Sequence, residues 1–446
     1  MHSAKLTLPK FLPIFLIACS LQHAVFSQEN SPYSRYGLGD LVPKSNIVTR
    51  GMGGLAAGFS DYQSINFINP ASYANLKTTI FDIGFEADTR TLRSLNPPAK
   101  FSATNAVISY LQLGFPIKMK KANKKDIFWG MNLGLRPVSK INYKITKQER
   151  LPGIDSLGTI YEGSGGLNEA YLGTAISIKH FSLGVNGGYM FGNKDYSTRL
   201  SFLNDTVQYA QSNTESKTNF GGLFLNGGIQ FEQRIKHKKN KHESMLRFGA
   251  YGSVKQTLTA EKDAIVETFL LDASGNKIRV DSIYENSVKG QVIYPSTLGV
   301  GFTYQSTNWL VGADFETTKW EDYRFYGAPD YVQNTWKIRV GTEYFPLKEN
   351  TSFKKYFNFV KYRFGFYYGP DYVKITNSLP EYGFSFGFGL PMKLRKSYYE
   401  TQSSMLNAAI EFGTRGNKNT NLRESTLRVS VGFSLSDLWF LRQKYQ

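Results

Sequence analysis

The chain has 446 residues, 41% of them hydrophobic and 15% aromatic, with 53 Lys and Arg against 35 Asp and Glu for a formal charge of +18. Such an aromatic content excludes a disordered chain, and no stretch beyond residue 26 approaches the ~20 apolar residues of a spanning helix, so helical membrane proteins are excluded as well. The 41 Gly, 28 Tyr and 33 Phe suit alternating strands anchored at membrane interfaces, and a transmembrane β-barrel leads what remains.

The chain opens with Lys5 and Lys10, an apolar run from Phe11 to Ala18, and a polar stretch ending Val25-Phe26-Ser27. This order reads as a secretory signal peptide over 1–27, removed before Gln28. A second reading takes Leu16-Ile17-Ala18 as the box before a lipidated Cys19. Cys19 is the only cysteine, so signal removal leaves no disulfide, thiolate metal site or cysteine nucleophile.

Residues 28–77 lack strand alternation. They are too rich in Gly for an independent core, yet Tyr33, Tyr36, Leu38, Met52, Phe59, Tyr62, Phe67 and Ile68 are too apolar for a solvated tail. Their expected place is inside the barrel, as a plug or hatch. Gly37, Gly39, Gly51, Gly53 and Gly54 would let the backbone turn sharply against the wall. Arg35, Asp40, Arg50 and Asp61 would pair with lumen charges and anchor the plug.

From residue 78 the period changes to two. Ile127, Trp129, Met131, Leu133 and Leu135 alternate with Phe128, Gly130, Asn132 and Gly134, and the same pattern recurs to Leu427–Leu435. A soluble sandwich would alternate too. Spacing and connections favour the barrel: fourteen segments, from 79–88 to 424–435, form an even number, as single-chain bacterial barrels require. Even-numbered connections are mostly short and basic (118–126, 179–180, 233–243, 346–356, 391–402), whereas 89–104, 137–167, 193–217, 259–294 and 319–334 are longer and polar. Short turns belong to the periplasm and long loops to the outside. The barrel is placed at 78–436 and a periplasmic tail at 437–446. Rows such as Tyr362, Phe364, Phe366, Tyr368 and Tyr382, Phe384, Phe386, Phe388 suit lipid and its interfaces, while Asp82, Glu86, Asp314, Glu316, Glu343 and Glu411 would face Lys337, Arg339, Arg363 and Arg428 in the lumen. The class is all-β: an antiparallel transmembrane barrel of about fourteen strands with an N-terminal plug, placed in a Gram-negative outer membrane.

Arg50-Gly-Met-Gly-Gly54 followed by Asn69-Pro70-Ala71 resembles the N-terminal hatch of the FadL-type family of plugged outer-membrane barrels. Ser31-Pro-Tyr-Ser-Arg-Tyr-Gly-Leu-Gly-Asp40, Gly163-Ser-Gly-Gly-Leu-Asn-Glu-Ala-Tyr171, Glu411-Phe-Gly-Thr-Arg-Gly416 and Asp437-Leu-Trp-Phe-Leu-Arg-Gln-Lys-Tyr445 resemble a large branch of it, across essentially the whole mature chain. The family includes hydrophobic-compound transporters and barrels attached to the type IX secretion translocon. The resemblance implies Asn69 and Pro70 as hatch anchors. In the transporters the third strand is interrupted; here residues 126–136 hold no Pro before Pro137.

Enzymatic constellations are not found, and neither catalytic residues nor cofactors are expected. His237 and His242 sit in the Lys236–Lys241 run, which suits a solvated basic turn rather than zinc, so no metal is expected. The basic turns lack interleaved aromatics and do not point to nucleic acid; lipid headgroups or acidic periplasmic proteins suit them better. Two functions remain. Passive uptake of hydrophobic small molecules predicts an apolar pocket inside, with Met52, Leu55, Phe59 and Phe67 as contacts. A non-enzymatic accessory barrel of an assembly or secretion machine predicts a filled lumen and a protein-binding face. The 259–294 connection, with Phe269, Leu270, Leu271, Ile278 and Ile283, is more apolar than an exposed loop needs to be, and also reads as a hairpin rising above the membrane.

Overall fold

The computed structural model describes residues 31–437, apart from 97, 118–126, 152–154, 204–208, 237–242, 273, 347–355, 376, 393–402, 418–419 and 421. The expected signal peptide over 1–27, Cys19, most of the basic turns and residues 438–446 therefore lie outside the described residues.

A two-residue strand, β1 (Asp40–Leu41), belongs to the N-terminal segment; the wall follows as β2 (Thr79–Leu95), β3 (Pro98–Ile117), β4 (Ile127–Leu151), β5 (Asp155–Ile178), β6 (Phe181–Phe202) and β7 (Gln211–Lys236). It continues as β8 (Glu243–Ser253), β9 (Gln256–Leu271), β10 (Lys277–Tyr294), β11 (Thr297–Gln305), β12 (Trp309–Thr318), the short β13 (Arg324–Phe325), β14 (Thr335–Tyr344), β15 (Lys361–Lys374), β16 (Ser378–Met392), β17 (Ser403–Arg415) and β18 (Leu422–Asp437). β7 pairs with β8 along its lower half and with β9 along its upper half. β8 and β9 are thus one long strand broken at Val254-Lys255. β10 and β11 are a second, broken at Pro295-Ser296, where Pro295 has no N–H to donate. Counted so, the wall has the fourteen strands expected, all antiparallel, and β18 closes on β2 from Leu422↔Ser94 to Asp437↔Thr79. Closure matters because lipid tolerates no unpaired strand edge.

Alternation decides which side chains meet lipid. Phe364, Phe384, Phe386 and Phe388 are exposed on the outer face, where Phe364 and Phe386 lie 5.2 Å apart and Phe366 and Phe384 5.0 Å apart. Asp82, Glu86, Asp314, Glu316, Glu411 and Arg363 are buried on the inner face, as the pattern predicts.

One expectation needs correction. The connections 89–104, 137–167 and 193–217 are mostly not loops: β2–β3, β4–β5 and β6–β7 continue through them as hairpins, and 259–294 is the β9–β10 hairpin that its sequence also allowed. A spanning strand needs ~9–11 residues, which β11 (9) and β12 (10) match, whereas β4 to β7 run to 22–26. Above the membrane both faces of a strand meet water, so the apolar half of the alternation disappears while the ladder of backbone hydrogen bonds persists. A tall fin of sheet, β4-β5-β6-β7-β9-β10, therefore stands over one side of the mouth.

Candidate functional site: the filled lumen

Residues 31–77 touch strands all round the barrel and are buried along most of their length, which puts them inside it. Their backbone bonds to itself only in short turns. Asn46 caps the single helical turn Ile47–Arg50, its side chain accepting from the Thr49 amide at 2.8 Å, and Asn69 caps a 3-10 turn over Pro70–Asn75, where Pro occupies the first position without wasting a donor. Further bonds come from the Asn46, Asn66 and Asn69 side chains within the segment and from wall side chains such as Tyr110, Gln230, Thr303 and Tyr323.

Room for this comes from glycines on the inward face. A Cβ on Gly341 would lie 2.2 Å from the Met52 carbonyl oxygen, one on Gly365 1.9 Å from the Gly53 nitrogen, and one on Gly130 2.0 Å from the Tyr73 carbonyl oxygen. Gly184 and Gly228 hold the same close approach to Pro70 and Asn69, and Gly249 to Ala57. Gly53 has a φ of +70° and donates its N–H to Ser385 Oγ at 2.9 Å, so the Gly53-Gly54 turn fits flat against β15 and β16. In sequence Gly130 and Gly134 alternate with the apolar row of β4, and Gly184 does the same on β6. They face inward, but Gly130 and Gly184 face packed backbone.

The charges are placed as follows. Arg50, fully buried, forms an ion pair with Glu86 and a hydrogen bond to Ser430 Oγ at 3.2 Å. Asp40 meets Arg90 at 2.6 Å and Arg415 at 2.9 Å. Asp61 meets Lys361 at 3.3 Å. The Asp314 carboxylate accepts the amides of Ala56 and Ala57 at 2.5 and 2.9 Å. Asn69 donates to the Ala57 carbonyl at 2.7 Å and to Ile229 of the wall at 3.2 Å. Arg35 lies instead at the rim, its guanidinium 5.1 Å from the Tyr161 ring centre. Wall pairs continue the pattern: Arg136–Glu169 at 2.6 Å, Arg363–Glu343 at 2.7 Å, Lys337–Glu381 at 3.0 Å, Arg339–Glu316 at 3.1 Å and Arg428–Glu411 at 3.6 Å. A buried charge persists where it is paired.

The apolar side chains of the segment lie in packing, not on a cavity. Met52, Leu55 and Phe59 form a closed cluster with Val48 and Leu310, and Phe67 packs in the larger core. The lumen cavity, about 190 Å³, is lined by other residues, among them Asp40, Arg90, Glu316, Arg339, Arg415 and Arg428. A larger apolar hollow, about 710 Å³, lies on the opposite side of the wall, between outward-facing Trp129, Ile176, Leu183, Val185, Ile229 and Leu298.

Sequence reasoning missed Arg90, Arg415 and Asp371. Arg415 joins Asp40, Asp371 and Glu424 in one knot, with 3.1 Å to Asp371 and 3.2 Å to Glu424. Its signal was an Arg ending the inward row Glu411, Gly413, Arg415. The ladder between β3 and β4 also ends unexpectedly early, at Leu111↔Leu135. A bulge at Pro137/Ser139 follows, and beyond it β1 pairs with β4, Asp40 opposite Lys140 and Leu41 opposite Ser139. The segment itself takes up the neighbouring edge that β3 leaves.

Solved structures share this architecture. The toluene transporter TodX of Pseudomonas putida is 14% identical, with 90% of this chain and all of that one covered at a TM-score of 0.56. The monoaromatic hydrocarbon channel CymD is 14% identical over 90% and 99% at 0.51, and a FadL homologue of Pseudomonas aeruginosa 14% identical over 89% and 98% at 0.51. No curated protein matches. The fold is that of the FadL-type outer-membrane barrels. Within that class the chain belongs to the BamG family, whose match runs over residues 9–446.

Proposed function

We propose that this protein is a non-enzymatic accessory barrel: a sealed disc in the outer membrane whose exposed surfaces dock a protein partner of an assembly or secretion machine. The observation that carries the reading is the lumen. Residues 28–77 act as a plug, anchored through Asp40, Arg50, Asp61, Asn69 and Pro70, with Arg35 holding its outer end. The space left beside it is small and lined by opposite charges, the wrong chemistry for an apolar solute, since a desolvated ion gains nothing from hydrocarbon. Several buried pairs would have to separate before the plug moved, each leaving a charge uncompensated.

A second reading, passive uptake of hydrophobic molecules, draws support from the likeness to barrels that carry toluene and other monoaromatic hydrocarbons. It would use Met52, Leu55, Phe59 and Phe67 once the plug shifted and opened their cluster. Purification from native outer membrane in mild detergent, with proteins and extracted lipids identified together by mass spectrometry, separates the two. A stoichiometric protein partner without an enriched apolar ligand is the expected result. A lone barrel carrying a fatty acid or aromatic compound would overturn it.

A further inference from the structure

The fin ends in an edge. β10 pairs with β9 along its whole length, but on its other side it meets only β13, at Val292↔Phe325 and Ile293↔Arg324. Tyr326 covers the edge just above, donating its hydroxyl to the Val288 carbonyl at 2.9 Å. Among the described residues nothing pairs with β10 from Lys277 to Ser287 on that side. An unpaired strand edge is a template for another strand, and natural proteins usually blunt it with bulges, charge and Pro. Here bulges fall between Arg279 and Asp281 and between Glu285 and Val288, which leaves Asp281-Ser-Ile-Tyr-Glu285 as a regular run. Ile283 is 67% exposed in that run and Tyr284 49%. Between these two guards, large apolar side chains stand in water on an open edge.

The two faces of the run differ. Ser282 and Tyr284 share the outer face with Glu267 and Ile265; there Arg279 meets Glu267 at 3.1 Å and lies 5.6 Å over the Tyr284 ring. Asp281, Ile283 and Glu285 share the face that overhangs the mouth, with Thr268, Val266 and Ala264 of β9 opposite them. Val266 is itself 48% exposed. The mouth-side pattern is acid, apolar, acid, with Lys262 of β9 3.2 Å from Glu285 in an exposed ion pair at one end and, among the described residues, Asp281 without a basic neighbour in ion-pair contact at the other. Directly opposite residues on paired strands interact, and opposite charges and apolar pairs stabilise.

We infer that the Asp281–Glu285 edge of β10 is a strand-addition site that takes an extended segment of a partner protein, carrying Lys or Arg on either side of an apolar residue at alternate positions. Backbone hydrogen bonds supply the pairing and the alternate side chains the selectivity. The inference rests on the accessory-barrel reading for the existence of a partner, and names its docking element.

The probe is a synthetic peptide with Lys, Ile and Lys at alternate positions and Thr between and around them, added to the full-length protein in detergent and read by amide hydrogen exchange. At saturation the bonded amides within Asp281–Glu285 slow by at least ten-fold, about the effect of one new backbone ladder, while those of β9 stay as they were. Of two peptides N-methylated on alternate residues, the one whose methyls fall on the bonded set loses the effect. Ile283→Lys abolishes it without changing heat-modifiability on gels, which reports that the barrel is folded. Binding with no slowing at Asp281–Glu285, equal binding of both methylated peptides, or an unaffected Ile283→Lys variant overturns the proposal. So does a dimer in detergent that Ile283→Lys dissolves, because the occupant is then a second copy of this chain. If the native partner co-purifies undiminished with Ile283→Lys, the edge proposal fails and the accessory reading stands. If no partner co-purifies while the peptide behaves as described, the edge stands and that reading fails.

Discussion

Residues 31–77 and the β9–β10 hairpin both carry apolar side chains away from lipid, and they treat them oppositely. In the segment, Met52, Leu55 and Ile65 are wholly buried; in the hairpin, Ile278, Val280 and Ile283 are more than half exposed. The segment has almost no regular structure, yet finds partners for its backbone and charges in the wall around it. The hairpin is paired along one side and, beyond its short bridge to β13, open on the other. The contrast separates two ways of being stable in a barrel. A stretch without its own ladder must be held by the wall, whereas a stretch with a ladder can stand in water and leave a face for something else.

Breaking the segment's attachments is the largest test. Arg50→Leu removes the main partner of Glu86, leaving it Lys140 at 3.6 Å, at a site where the Arg50 and Glu86 side chains are both 1% exposed. Stranding a buried charge costs about 3–5 kcal/mol. The expected outcome is a large fall in the urea midpoint of the purified barrel and protease cleavage within residues 31–77. A smaller loss on changing Arg50 and Glu86 together to Met and Gln would assign the effect to the stranded charge. Gly365→Ala is next. Its Cβ would fall 1.9 Å from the Gly53 nitrogen, and forcing an extra carbon into close packing costs about 1–3 kcal/mol. The same change at Gly275, where nothing lies within 4 Å but φ is +80°, costs only local strain and leaves the segment protected. Asn69→Ala follows, losing a cap and its bonds to Ala57 and Ile229, at about 1–2 kcal/mol in the same denaturation assay.

These numbers also explain what the sequence made legible. The fourteen strands and their inward and outward faces follow from a period of two, which lipid enforces residue by residue; thus Glu316, Glu411 and Arg428 were placed correctly from alternation alone. The extensions of β2–β3, β4–β5 and β6–β7 were invisible for the same reason, since outside the lipid nothing selects apolar residues at every second position; 259–294 was readable as a hairpin because it keeps apolar residues there. Arg50 and Asp40 could be named as paired charges because a charge inside a barrel needs a partner. Which partner each takes depends on strand register and stagger around a closed sheet, and neither is written locally. The inward glycines stood out in sequence only as the small half of the alternation. In the structure several of them mark where the backbone of residues 31–77 presses on the wall, recognisable once Asn69-Pro70 and Gly53-Gly54 are seen against it.

Ile283→Ser and Val266→Ser sharpen the other half of the comparison. Both sites are exposed, and surface substitutions of this kind stay within about 0.5 kcal/mol. An unchanged urea midpoint is expected, and a large fall would mean that the hairpin folds back on the barrel and has no free face.

The smallest effect belongs to the tip joining β9 to β10. Asp272 accepts the amides of Ser274 and Asn276 at 2.9 and 2.7 Å and the Asn276 side-chain amide at 3.0 Å. These bonds, that of the Asn276 side chain first, hold its carboxyl below the usual carboxylate range. A carboxylate depressed in the folded state contributes its stabilisation above the free value of about 3.9 and loses it as pH falls through the folded one. After correction for intrinsic exchange, the Ser274 and Asn276 amides should therefore exchange slowly above about pH 4 and lose that protection below it. Asp272→Ala should remove the protection at every pH while leaving exchange at Asp281–Glu285 and the denaturation midpoint untouched. If the Asp281–Glu285 amides loosen as well, the open edge of β10 depends on its own tip for order, and the hairpin is not a self-supporting ladder.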